Sequence, residues 1–227
     1  MHSLDASTIV FAVVAIIVVI KLRSVLGTRT GNERRPMEPR GPGAPGNVVP
    51  FGGPARTAAA PPPLLTDRWK GYADIGSPVA GGLDAIAAAE PGFDAGAFLQ
   101  GARGAYEMIV NAFAQGDVNA LRRLLAPEVM ANFAKAIEAR RAAQQTMTTT
   151  IVSIDGVSLV DARVTNGIAS IAVKFAAKLA SATLDGSGKL VDGASDQVAD
   201  HLDIWTFTRT LGARDPNWLL SATETVH

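Results

Sequence analysis

The spacing of the apolar residues changes near Gln145, and this change limits the folds open to the chain. Before Gln145, apolar residues recur at helical spacing in the segment from Phe98 to Phe113. After it, Ile171 to Leu179 alternate strictly with polar or small residues, as in a half-buried strand. Helices that precede a run of antiparallel strands predict an α+β fold. A curved sheet wrapped around the long helix would form a cone with a cavity.

The helical part divides at residues that start or stop helices. Asp94 is suited to cap a long helix and Gly116 to end it, while Pro127 separates a second helix from a third. Residues 64–90 predict short helices hinged around residues 76–82. The basic residues of the third helix are predicted to form a solvated face: Lys135, Arg140 and Arg141.

The strand part is divided by turn signals. Asp155-Gly156 and Asn166-Gly167 predict turns between three strands. Residues 184–195 predict a Gly/Asp/Ser-rich loop that does not pack. The turn at residues 215–217 then joins an aromatic strand to a closing strand that starts at Trp218.

The N-terminus holds an unbroken apolar run from Ile9 to Ile20. With Leu22, Val25 and Leu26 it is just long enough for a helix that spans a bilayer. Basic residues follow the run and none precedes it, which favours a retained anchor over residues 1–26 with the rest of the chain in the cytoplasm. The alternative is a cleaved signal peptide, for which the residues around Gly27 offer a weak cleavage site.

Residues 27–63 are rich in Pro and Gly, which predicts a linker without a packed element. Its extended proline stretches favour a spacer between the anchor and the domain. A proline-rich ligand for a partner is the alternative. The folded domain is therefore expected over residues 64–227.

The composition excludes several kinds of chemistry. The chain has no Cys, and its three histidines are His2, His201 and His227, so neither a metal site nor a cofactor is expected. Lys plus Arg equals Asp plus Glu, which argues against a nucleic-acid partner.

Two segments resemble a known family. Residues 82–133, with "GFDAGAFLQGARGAYEMIVNAF", and residues 198–225, with "WTFTRTLGARDPNWLL", resemble the Tim44-like domain. The family includes the subunit that tethers the import motor to the mitochondrial inner-membrane translocase, along with bacterial relatives of this layout. The resemblance implies a nuclear-transport-factor-like fold and a membrane-associated scaffold. The long charged N-terminal region of the mitochondrial protein is missing here, so chaperone tethering does not follow.

Aromatic residues are the candidates for a pocket or a partner surface: Tyr106, Trp205, Phe207 and Trp218. Most of their area is expected in the core, with a ring left for a groove. An isomerase-like enzyme would instead use Tyr106 with Asp203 and His201, which share a strand face with the aromatic rings. We expect binding rather than catalysis, because a fold alone confers no chemistry.

The segment from residue 64 to residue 90 is a candidate for membrane contact. Trp69 and Tyr72 lie beside Arg68 and Lys70, a weak interfacial signature that also allows contact with anionic lipid. A helix that packs on the domain is the alternative. Together these features predict a non-enzymatic adaptor anchored in a bacterial inner membrane, with translocase or other membrane proteins as partners. A lipid- or ligand-binding domain is the alternative function.

Overall fold

The computed structural model describes residues 67–226. The predicted anchor, residues 1–26, and the predicted linker, residues 27–63, lie outside that range. Between residues 67 and 226, no helix is both long and apolar enough to cross a bilayer.

Four helices come first: α1 (Pro78–Ala89), α2 (Ala95–Gln115), α3 (Val118–Leu121) and α4 (Pro127–Ala142). Asp94 caps α2 by accepting a hydrogen bond from the Ala97 amide at 2.6 Å, and Gly116 ends it in a left-handed conformation with φ of 70°. Both predicted boundaries of the long helix are confirmed. The hinge predicted at residues 76–82 is shorter than expected, because Gly81 and Gly82 lie inside α1.

Five strands follow: β1 (Thr146–Thr165), β2 (Ile168–Leu184), β3 (Leu190–Gly193), β4 (Ala199–Thr210) and β5 (Leu219–Thr225). They form one antiparallel sheet in the order β1-β2-β4-β5, with β3 paired to the end of β2. The predicted α+β class is confirmed.

Of the two turns predicted between strands, one is present and the other is not. Asn166 and Gly167 form the tight turn between β1 and β2, with φ values of 52° and 75° that suit a two-residue hairpin. Asp155-Gly156, in contrast, makes no turn. The chain continues as a single strand whose register against β2 shifts between Ile154 and Gly156. A bulge absorbs the extra residue there and lets β1 bend without reversing.

The loop predicted at residues 184–195 contains a strand. Leu190 and Asp192 lie opposite Leu184 and Thr183 in β2. All four residues of β3 are exposed, so the strand adds hydrogen bonds but no core. A four-residue exposed strand lacks the alternation on which the sequence prediction depended.

The core lies between α2 and the helix-facing side of the sheet. Tyr106 of α2 stacks on Phe175 of β2 and contacts Trp205 of β4, with ring centroids 4.6 and 4.5 Å apart. The residues Ile171, Val173 and Phe175 of β2 are fully buried. The alternation predicted for β2 therefore places its apolar side chains under the helix.

The basic residues of α4 do not form a purely solvated face. Arg140 donates to the carbonyl oxygens of Phe113 and Ala114, and Arg141 donates to that of Gly116. These carbonyls lie at the C-terminal end of α2, where a helix leaves its last carbonyl oxygens without i+4 partners. The two arginines thus join α4 to the end of α2, where a helix favours positive charge.

Candidate functional site: an aromatic groove beside the long helix

A groove of about 650 Å³ opens between the first half of α2, the strand β4 and the loop that joins β4 to β5. We call it the aromatic groove, after the four rings that line it. These are Phe93, Phe98, Phe207 and Trp218. Its volume falls in the range of small-ligand sites, ~300–1,000 Å³.

The groove exists because one face of α2 carries small side chains. Ala97, Gly101 and Ala105 line the wall, one helical turn apart. A Cβ atom added at Gly101 would meet nothing within 4 Å. Larger residues at these positions would fill the space between α2 and Trp218.

The rings are held by contacts with one another. Phe98 lies edge-on to Trp218, with centroids 4.9 Å apart, and edge-on to Phe207 at 6.1 Å. Phe93 contacts both Phe98 and Trp218 at 6.2 Å. Tilted and edge-on pairs of this kind stabilise aromatic clusters, so the groove has a pre-formed apolar surface.

An ion pair stands at the rim. Arg209 of β4 contacts Glu90 at 2.6 Å, and both side chains are more than four-fifths buried. The other oxygen of Glu90 accepts a hydrogen bond from the amide of Gly212. Glu90 therefore fastens the loop between α1 and α2 to the sheet. Sequence reasoning missed this pair, since 119 positions separate its members and no local pattern links them.

A second polar cluster lies in the core, outside the groove. The buried Tyr106 hydroxyl donates to Asp203 Oδ2, and Thr225 Oγ1 donates to Oδ1, each at 3.0 Å. Burial, followed by the nearby Asp203 carboxylate, raises the pKa of Tyr106 above its usual range. The phenol thus stays protonated at neutral pH and serves as a hydrogen-bond donor.

A family model for the Tim44-like domain matches residues 79–225. The chain belongs to the Tim44-like domain family. The resemblance expected from the sequence is confirmed. Comparison with curated proteins finds no significant match.

Two solved structures resemble this Tim44-like domain in part. One is the intermembrane space region of the chloroplast protein ARC6, with a TM-score of 0.42 and 10% identity, covering 56% of this chain and 95% of that one. The other is TsrD from Streptomyces laurentii, with a TM-score of 0.28 and 16% identity, covering 59% and 90%. At these scores neither likeness carries an argument.

The structure separates the predicted pocket residues of the Tim44-like domain into two groups. Phe207 and Trp218 line the aromatic groove. Tyr106 and Trp205 are buried against each other instead. Asp203 shares their cluster, as the alternation of β4 predicts. The ring of Phe98 was missed as a groove residue because its helical spacing also suits a core position.

The predicted membrane-contact residues separate in the same way. Arg68, Lys70 and Tyr72 are exposed, and their contact with lipid stays a prediction. Trp69 is only 7% exposed, and its indole donates to Asp84 at 2.8 Å. In this arrangement the Trp69 ring packs on the domain, and its contact with lipid stays a prediction.

Proposed function

We propose that the chain is a membrane-anchored, non-enzymatic adaptor that acts in protein translocation or membrane-protein assembly at a bacterial inner membrane. The observation that carries the proposal is the aromatic groove, a pre-formed apolar surface with its ion pair at the rim. Such a surface suits an apolar segment of a partner protein. Membership of the Tim44-like family and the apolar run at residues 9–20 support the membrane setting.

The fold and orientation form part of the same proposal. We infer a nuclear-transport-factor-like cone in which α2 lies against the bent side of the sheet. The anchor would hold the domain in the cytoplasm, at a distance set by the linker. Arg68, Lys70 and Tyr72 lie where the described chain begins and would contact anionic lipid headgroups.

The chemistry of the polar residues supports a non-enzymatic role. Neither Tyr106 nor Asp203 lines the aromatic groove. Their hydrogen bonds are satisfied within the core, and the raised pKa of the Tyr106 phenol makes it a poor proton donor. Within residues 67–226, no cluster of side chains is suited to hold a metal ion.

Crosslinking with mass spectrometry in native membranes tests the adaptor role. The full-length protein would be compared with a form that lacks residues 1–26 and with Gly101→Leu, which fills the groove. Gly104→Leu is the matched control, since Gly104 lies on the same helix with open space around its Cβ but does not line the groove. We expect translocase or insertase subunits with the full-length protein and Gly104→Leu, and their loss with the other two.

The alternative is a lipid- or small-ligand-binding domain, which the apolar surface of the groove also suits. Organic extraction of the purified protein followed by mass spectrometry would reveal such a ligand. A bound lipid that Gly101→Leu abolishes, together with crosslinks to no membrane protein, would replace the adaptor by this alternative.

A further inference from the structure

The two outer strands of the sheet, β1 and β5, differ in the backbone hydrogen bonds on their outer sides. The outer side of β5 is paired at Leu220 with the segment between α3 and α4: Leu220 donates to Leu124 and Ala126 donates to Leu220, both at 2.8 Å. In the described part of the chain, the strand β1 has no such backbone pairing on its outer side, although α1 packs closely against it at Ala162. Between residues 67 and 226 it pairs with β2 alone, which leaves a row of backbone donors and acceptors along its other side.

A second groove, of about 480 Å³, runs along this side of β1. We call it the edge groove. Six consecutive strand residues line it, 149–154, facing Arg103, Glu107 and Asn111 of α2. Successive side chains of a strand point to opposite faces. A groove that touches six in a row therefore follows the backbone edge of the strand and not one face of the sheet.

The edge lacks two of the usual protections, charge and proline, and carries another, a β-bulge, at Val152. Proteins use charged residues, especially Lys, and Pro to prevent an exposed edge from pairing with another strand. Residues 146–154 read "TMTTTIVSI" and contain neither a charge nor a proline. The register shift between Ile151 and Ser153 leaves Val152 unpaired, and this side chain is 53% exposed. An apolar residue thus stands at the centre of an open edge.

We propose that the edge groove binds an extended segment of a partner protein, which adds to β1 as a further strand. Strand addition supplies affinity through backbone hydrogen bonds and specificity through alternate side chains. Arg103 and Glu107 are about half-exposed and pair at 3.5 Å. They favour a segment with charges of both signs toward α2 and an apolar side chain against Val152.

The wall formed by α2 favours a single extended chain over a second copy of the protein. A second copy that paired through its own β1 would bring its own α2 to the same edge. The two helices would then meet over one shared pair of strands. This inference rests on the proposed adaptor role, to which it adds a protein contact separate from the aromatic groove.

The test selects short random peptides displayed on phage against the full-length protein in detergent micelles. We expect the selected peptides to lack proline and to protect from hydrogen exchange those amides of residues 149–154 that face away from β2. Only every second amide of the bound peptide faces β1. Methylation of those peptide nitrogens should abolish binding, and methylation of the nitrogens between them should leave binding unchanged.

Val152→Lys should weaken binding of the selected peptide at least ~10-fold, because it places a charge on the edge. Val160→Lys is the matched control. Val160 is also an exposed valine at a register shift of β1, and it lies outside the edge groove. The control should bind as the unchanged protein does.

Three results would overturn the inference. One is a selection that yields no peptide, and another is a peptide that binds Val152→Lys normally but fails on Gly101→Leu, which would place it in the aromatic groove. The third is a dimer in light scattering that Val152→Lys dissociates, which would assign the edge to a second copy. Peptides that bind the edge while native membranes give no translocase crosslinks would refute the proposed function and leave this site standing.

Discussion

At the scale of single residues, the hydrogen bond of Tyr106 with Asp203 joins α2 to the sheet through a polar group. The Tyr106 ring is buried between Phe175 and Trp205, so its hydroxyl has no access to bulk water. Asp203 in turn receives donors from α2 and from β5. The cluster therefore links three elements of the fold at one carboxylate.

Tyr106→Phe should lower the free energy of unfolding by about 1–3 kcal/mol, because it leaves a partly buried carboxylate oxygen without its donor. The ring contacts remain, so the change isolates the hydroxyl. Urea unfolding followed by circular dichroism measures the difference. Tyr72→Phe, the same change at an exposed tyrosine, should alter stability by less than about 0.5 kcal/mol. Equal effects of the two substitutions would show that the cluster contributes nothing.

The same tyrosine predicts a pH dependence. Its pKa in the folded protein lies above that of the unfolded chain, which is about 10. Above that pH the unfolded chain loses the phenolic proton while the folded protein keeps it, so stability falls as pH rises. The advantage of the unchanged protein over Tyr106→Phe should therefore shrink by about 1 kcal/mol between pH 10 and 11. Urea midpoints measured across that range would contradict this if the advantage stayed constant.

At the scale of elements, α1 is placed by one glycine that approaches the sheet closely. A Cβ atom at Gly82 would overlap the carbonyl oxygen of Ala162 in β1, whereas a Cβ at Gly81 would meet nothing within 4 Å. Both residues lie in the same helix. Their neighbourhoods differ because one faces the strand and the other faces away from it.

Alanine substitutions at these neighbouring positions should have opposite effects. Gly82→Ala should destabilise the domain by about 1–3 kcal/mol, because α1 must move off β1. Gly81→Ala should stabilise it by about 0.5–1 kcal/mol through the lower entropy of the unfolded helix segment. Thermal unfolding of both variants measures the contrast. A gain of similar size at both glycines would mean that helix propensity, and not the contact with Ala162, determines the effect.

The sequence predicted the elements better than their contacts. The long helix and its two caps were readable because Asp94 and Gly116 act locally, and the Asn166-Gly167 turn because its backbone needs φ above zero. Asp155-Gly156 carries an equally strong turn signal. The turn predicted there was wrong because a β-bulge accommodates the same two residues, and the strand then continues before and after them.

The groove was harder to predict for a physical reason. Its residues come from α2, from the loop before it, from β4 and from the loop before β5, and only the packing of these elements places Phe98 beside Trp218. The aromatic residues Phe207 and Trp218 were identified as candidates. Glu90 was not, since its partner Arg209 is brought near only by the complete fold.

At the scale of the whole molecule, the folded unit begins before the part that the family model matches. The match starts at residue 79, yet Trp69 is buried, contacts Phe93 at 6.1 Å and donates to Asp84 of α1. Phe93 in turn lines the aromatic groove. The turn that carries Trp69 therefore supports both α1 and one wall of the candidate site.

Trp69→Ala consequently tests whether this turn serves the fold or the membrane. We expect a loss of about 3–5 kcal/mol of stability, the usual cost of removing a buried tryptophan, measured by urea unfolding. Lys70→Ala is the control: it should leave stability within about 0.5 kcal/mol and weaken binding to vesicles that contain anionic lipid by about 1 kcal/mol. The opposite result, in which Trp69→Ala keeps its stability and loses vesicle binding, would place the indole in the bilayer interface. It would also show that this turn does not stabilise the core.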